Sequence, residues 1–152
     1  MVSIWIGALL AVGLTNSPVE NAKADAIQCD VQIIHAKKET GDADPALEPI
    51  SRYLTRAFGS RYRSFKQIDR SSMSLPLNSA ETKSLPNNTV LRLMYLGSEE
   101  NLLRLEMSVG DLKTNVKVHN GGLFFQAGRS YRNGMLIVAI RVTKQPSKKP
   151  IQ

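Results

Sequence analysis

The stretch LRLEMSVGDLKTNVKV, residues 103–118, decides the fold. Leu103, Leu105, Met107 and Val109 alternate with Arg104, Glu106 and Ser108. After Gly110-Asp111 the alternation resumes, with Leu112, Thr114, Val116 and Val118 set against Lys113, Asn115 and Lys117. A period of two marks a strand with one buried face, and Gly-Asp between two such runs is a two-residue hairpin turn. Such a hairpin needs something to cover its apolar face.

The same period extends in both directions. Toward the C terminus, 119–122 (HNGG) and Asn133-Gly134 are turn signals around a strand that begins Leu123-Phe124-Phe125. The run MLIVAIRV, 135–142, is nearly continuous in apolar residues, as expected of a strand covered on both faces. Toward the N terminus, 89–96, 72–77 and 62–68 read as strands, and 78–88 reads as a connection. In the first strand, 29–36, Cys29, Val31, Ile33 and His35 share one face.

One segment changes period. Asp44 is a good N-cap, Pro45 suits the first helical position, and Glu48 lies where the helix dipole favours an anion. Leu47, Ile50, Leu54, Ala57 and Phe58 form an apolar stripe, and Gly59 is placed to stop the helix. The expected fold is therefore α+β: a curved, mainly antiparallel sheet of about six to eight strands, with one helix over 45–58 packed on its open face. A β-sandwich with one appended helix is the alternative.

At 152 residues, 42% hydrophobic and 22% charged, the chain has the size and composition of a single globular domain. A multidomain enzyme is not expected at this length, and the composition argues against a coiled coil. Residues 4–14 (IWIGALLAVGL) are an uncharged apolar run, shorter than the roughly 20 residues needed to span a bilayer. Small-x-small sites follow at Ala22-Lys23-Ala24 and Ala24-Asp25-Ala26. Residues 1–26 are accordingly expected to be a signal peptide, 27–143 an exported domain and 144–152 a flexible basic tail. No transmembrane span is expected after processing, although no Lys or Arg precedes Lys23 as export signals usually require. The destination is periplasmic or extracellular.

Cys29 is the only cysteine, so no intrachain disulfide forms. Gln28 stands where a lipid-attachment site needs a small residue, and Cys29 reads as a buried hydrophobe. No cofactor or metal is expected, since Cys29, His35 and His119 are not at ligand spacing on a helix and the 41–44 loop lacks the pattern of a calcium loop. Cys29 and His35 lie six residues apart on one strand, about 20 Å, and cannot form a dyad. Phosphate-loop and nucleophile-elbow patterns are absent, and a non-enzymatic role is expected.

The net charge of +7 is unevenly distributed. After Asp111 there are eight Lys or Arg residues and no acid, whereas 25–51 holds six acids and two lysines. Arg52 and Arg56, four apart on the helix, are followed by Arg61, Arg63 and Lys66, with Tyr53 and Tyr62 interleaved. These five cations are the candidate site. Arginine forks match phosphate and carboxylate oxygens, and export makes the expected partner an envelope protein or an anionic envelope surface rather than nucleic acid. The plainer alternative is a solvated helix flank paired with Glu48 or the acidic 39–48 loop. If 62–68 is a strand from Tyr62 onward, Arg61 and Arg63 share a face with Phe65, and Tyr62 and Lys66 lie on the other.

Overall fold

The computed structural model describes residues 26–145. The expected export segment, apart from Ala26, and most of the expected tail lie outside these residues. The described residues form eight strands: β1 (Ala26–Lys37), β2 (Ser64–Pro76), β3 (Ala80–Ser84), β4 (Val90–Glu99), β5 (Leu102–Val109), β6 (Leu112–His119), β7 (Leu123–Tyr131) and β8 (Gly134–Lys144). They pair antiparallel in two four-stranded sheets, ordered β2-β1-β8-β7 and β3-β4-β5-β6.

The expectation of mainly antiparallel sheet with one packed helical segment holds. The single curved sheet does not: the sandwich alternative describes the arrangement. One short helix can cover only part of one sheet face. The alternating apolar residues of β4 and β5, such as Leu91, Leu93, Leu105 and Met107, bury instead against Ile27, Val31, Ile33, Val138 and Ile140 of the first sheet. This inter-sheet cluster is the main core.

The helical segment lies on the outer face of the first sheet. Leu47, Ile50 and Leu54 pack with Ile34, Ala36, Ile137 and Ala139, flanked by Phe58, Tyr62, Phe65 and Phe125. The central strands β1 and β8 are thus covered on both faces, and Leu136, Ile137, Val138, Ala139 and Ile140 are all buried. In β1, Cys29, Val31 and Ile33 face the second sheet while Ile34 and Ala36 face the helix.

Several local expectations shift by a few residues. The span 45–58 is not one helix but a 3₁₀ segment, Pro45–Ile50, continued by α1, Ser51–Phe58. Pro49 sits inside the 3₁₀ segment and disfavours α geometry at Glu48, so the regular helix starts after it. Ala57 is exposed and does not belong to the apolar stripe. The 62–68 and 72–77 strands fuse into β2, which carries a bulge at Ile68 opposite Ile33 and Ile34. The 78–88 connection contains β3. Lys144, expected to open the tail, ends β8, and the Gln145 N–H donates to the Ala26 carbonyl at 3.2 Å.

The last hairpin turns one residue earlier than Asn133-Gly134 suggests. Arg132 and Asn133 take the two left-handed turn positions, with φ of 40° and 60°, and Gly134 opens β8. A Cβ at Gly134 would run into the Ala36 carbonyl and approach His35 Nε2, so glycine serves a close backbone approach there rather than the turn.

Candidate functional site

Asp44 builds the corner where the helical segment meets the first sheet. Its Oδ1 accepts the Ala46 N–H at 3.0 Å, as an N-cap should. Its Oδ2 reaches across to accept the Gln67 N–H of the edge strand β2 at 2.8 Å. The loop ahead of it is drawn onto β2 by the Arg63 N–H, which donates to the Lys37 carbonyl at 2.8 Å. Gly41 lies so close to Ser64 that an added Cβ would stand 3.2 Å from the Ser64 Cβ.

All five predicted cations are exposed. Arg52 and Arg56 lie on the side of α1 opposite the buried Leu54, with Tyr53, 48% exposed, beside them. Arg56 is also in the last turn, where the helix dipole favours a cation. Arg61 and Arg63 lie between α1 and β2, ahead of the strand rather than on it. The face-sharing expected of them therefore fails: Tyr62 and Phe65 pack into the same cluster beneath the helix. Arg63 lines a cleft beside α1, and Lys66 lines an adjoining recess with His35 and Lys37 that shares Asp42, Ser64 and Phe65 with that cleft.

The arginines divide sharply by partner. Arg70 pairs with Asp30, Arg92 with Glu106, and Arg104 with Glu99. Arg129 donates to the Val109 carbonyl and Arg141 to the Gly121 carbonyl, while Arg132 lies over the Tyr131 ring. Among the described residues, Arg52, Arg56, Arg61 and Arg63 have no ion pair, side-chain hydrogen bond or ring contact, and Lys66 has none either. The acids expected to neutralise the helix flank, Glu48 and those of the 39–48 loop, do not reach it.

A cleft of about 510 Å³ opens between the 41–44 loop and α1. Leu47, Leu54 and Phe65 form its apolar floor; Asp42, Glu48 and Arg63 stand around it, and Thr55 is on the helix wall. This cleft was not legible in the sequence, because it exists only through the reach of Asp44 to a strand 23 residues further on. A smaller gap of about 200 Å³ between the sheets is lined by Leu85, Leu112 and Leu136, with Arg129 at its side.

Of the remaining reactive side chains, Cys29 and His35 are engaged in the core, whereas His119 is exposed at the end of β6. Cys29 is fully buried, and burial pushes its thiol up to about 12. His35 is buried, with Nε2 3.0 Å from the Tyr131 carbonyl and its ring edge-on to the Tyr131 ring at 5.0 Å. Among the described residues no group of three or more His, Cys, Asp or Glu is placed to hold a metal, and no helix is long and apolar enough to cross a membrane. Comparison with protein-family models, with curated proteins and with solved structures finds no match to this chain.

Proposed function

We propose that the chain is an exported, non-enzymatic interaction subunit of the cell envelope, which docks on an acidic protein surface through Arg52, Tyr53, Arg56 and Arg61. One observation carries this reading: every other arginine is held by this protein's own groups, and those of the α1 corner are left free among the described residues. Arg70, Arg92 and Arg104 are already partly neutralised by carboxylates, and Arg129, Arg132 and Arg141 are each tethered by one contact, whereas an unpaired guanidinium keeps its full charge and all five donors in a fixed fork. Arginine and tyrosine are also the residues enriched where proteins bind one another. The apolar run at 4–14 supports the compartment. The burial of Cys29 and the bonded state of His35 support a role without covalent chemistry.

The same free arginine forks also fit phosphate, so an anionic envelope ligand, a phosphorylated glycolipid or acidic polysaccharide, is the second reading. A photo-reactive residue in place of Tyr53 in the native host tests both. A discrete protein adduct that disappears in R52Q/R56Q supports the subunit reading, and an adduct to glycolipid or polysaccharide supports the second. No adduct at 53, with an equal probe at Asn115 on the second sheet giving one, would overturn both.

A further inference from the structure

We propose that the cleft between the 41–44 loop and α1 binds a small apolar zwitterion, of the class of a hydrophobic amino acid or dipeptide. At about 510 Å³ the cleft falls within the range of small-molecule sites, and its floor of Leu47, Leu54 and Phe65 offers apolar contact. Three charged groups line it without any ion pair or side-chain hydrogen bond among the described residues: Asp42, Glu48 and Arg63. Asp44 differs, because both of its carboxylate oxygens already accept backbone N–H groups; it holds the wall and leaves the binding to its neighbours.

The charge pattern selects the ligand. A simple anion that met Arg63 would also meet the two carboxylates, and a simple cation that met them would also meet Arg63. An uncharged apolar molecule would desolvate all three without replacing their hydrogen bonds to water. A molecule with an ammonium, a carboxylate and an aliphatic body matches the three unpaired charged groups and the apolar floor together. This site is distinct from the outward face of α1. Arg63 alone belongs both to the predicted cation group and to the cleft.

Titration of the full chain with leucyl-leucine, followed by amide chemical shifts, tests the assignment. Saturable shifts are expected in 42–48, 51–55 and 63–65. N-acetylation or C-terminal amidation of the dipeptide should weaken binding about tenfold, as should R63A, and R63A should have no further effect on the amidated probe. T55W, which fills the cleft from an exposed position, should abolish the shifts, while R52Q/R56Q should leave them unchanged. That last result separates this site from the proposed docking face. Absence of saturable shifts, their persistence in both T55W and R63A, or equal binding of the acetylated probe would overturn the assignment.

Discussion

The carboxylate of Asp44 joins two elements at once, capping the 3₁₀ segment at Ala46 and accepting the edge-strand N–H of Gln67 at 2.8 Å. Asp44→Ala should therefore remove a cap and leave a strand donor unpaired, for a loss of about 2–3 kcal/mol, more than a cap alone. Asp44→Asn, which keeps one carbonyl acceptor, should lose less. Urea denaturation of the three proteins measures this, and equal stability of Asp44→Ala and the parent would show that the two bonds contribute nothing.

Gly134→Ala places a methyl group against the Ala36 carbonyl and the His35 ring. Overpacking at such a contact costs about 1–3 kcal/mol. The thermal midpoint should fall accordingly, and Gly121→Ala, where an added Cβ meets nothing within 4 Å but φ is +82°, should report the strain of a left-handed turn without that collision.

Asp69 and Lys83 tie the two sheets at their β2–β3 edge, with Lys83 Nζ 2.8 Å from Asp69 Oδ2. The Lys83 hydrogen bond, followed by that of the Arg70 N–H, holds the Asp69 carboxyl below its ordinary range. A depressed carboxyl stabilises the fold above its unfolded value of about 4 and loses that contribution as pH falls through its lower folded value. Asp69 is half exposed, so the effect is small. The stability of Asp69→Asn should fall less than that of the parent below about pH 4.

The Cys29 thiol, pushed up to about 12, carries the opposite sign. A raised value leaves stability intact below the unfolded thiol range near 8.5 and erodes it as pH rises toward 12. The stability of the parent against denaturation should fall between about pH 8 and 10, and Cys29→Ala, though less stable from its lost packing, should show a flatter profile there. At neutral pH a thiol reagent should label Cys29 only at the rate of unfolding.

Much of this fold is written in local sequence. The hairpin of β5 and β6 is legible because Leu103, Leu105, Met107 and Val109 all face one way, and the helix start because Asp44-Pro45 satisfies its first donors. What covers a half-buried strand is not local information, so one sheet under a helix and two sheets back to back present the same period of two. β3 carries no apolar side chain toward the sandwich; its Lys83 is satisfied by Asp69, a partner in the other sheet. Of the candidate site, the exposed positions of Arg52 and Arg56 follow from helical spacing. The absence of acids beside them and the cleft next to them depend on how the 41–44 loop lies on β2.

On the proposed export, the processed N terminus should be Asp25 rather than Ile27. Ala26 is buried within β1, and its carbonyl accepts the Gln145 N–H, so cleavage after Ala24 leaves the first strand whole. Mass spectrometry of the protein recovered from its native host would show which site is used, and a mature chain beginning at Ile27 would contradict the preference.

The central claim is that location, not total charge, makes the α1 corner a docking surface. Retention of the full chain on native envelope fractions should be compared across rising salt for the parent, R52Q/R56Q and K113Q/K117Q, which lose equal charge. All three should fold with stabilities within about 0.5 kcal/mol for the exposed helix pair and slightly more for the ion-paired lysines. R52Q/R56Q should lose retention about tenfold and most of its salt dependence, while K113Q/K117Q stays close to the parent. Equal retention of the two variants would contradict the account.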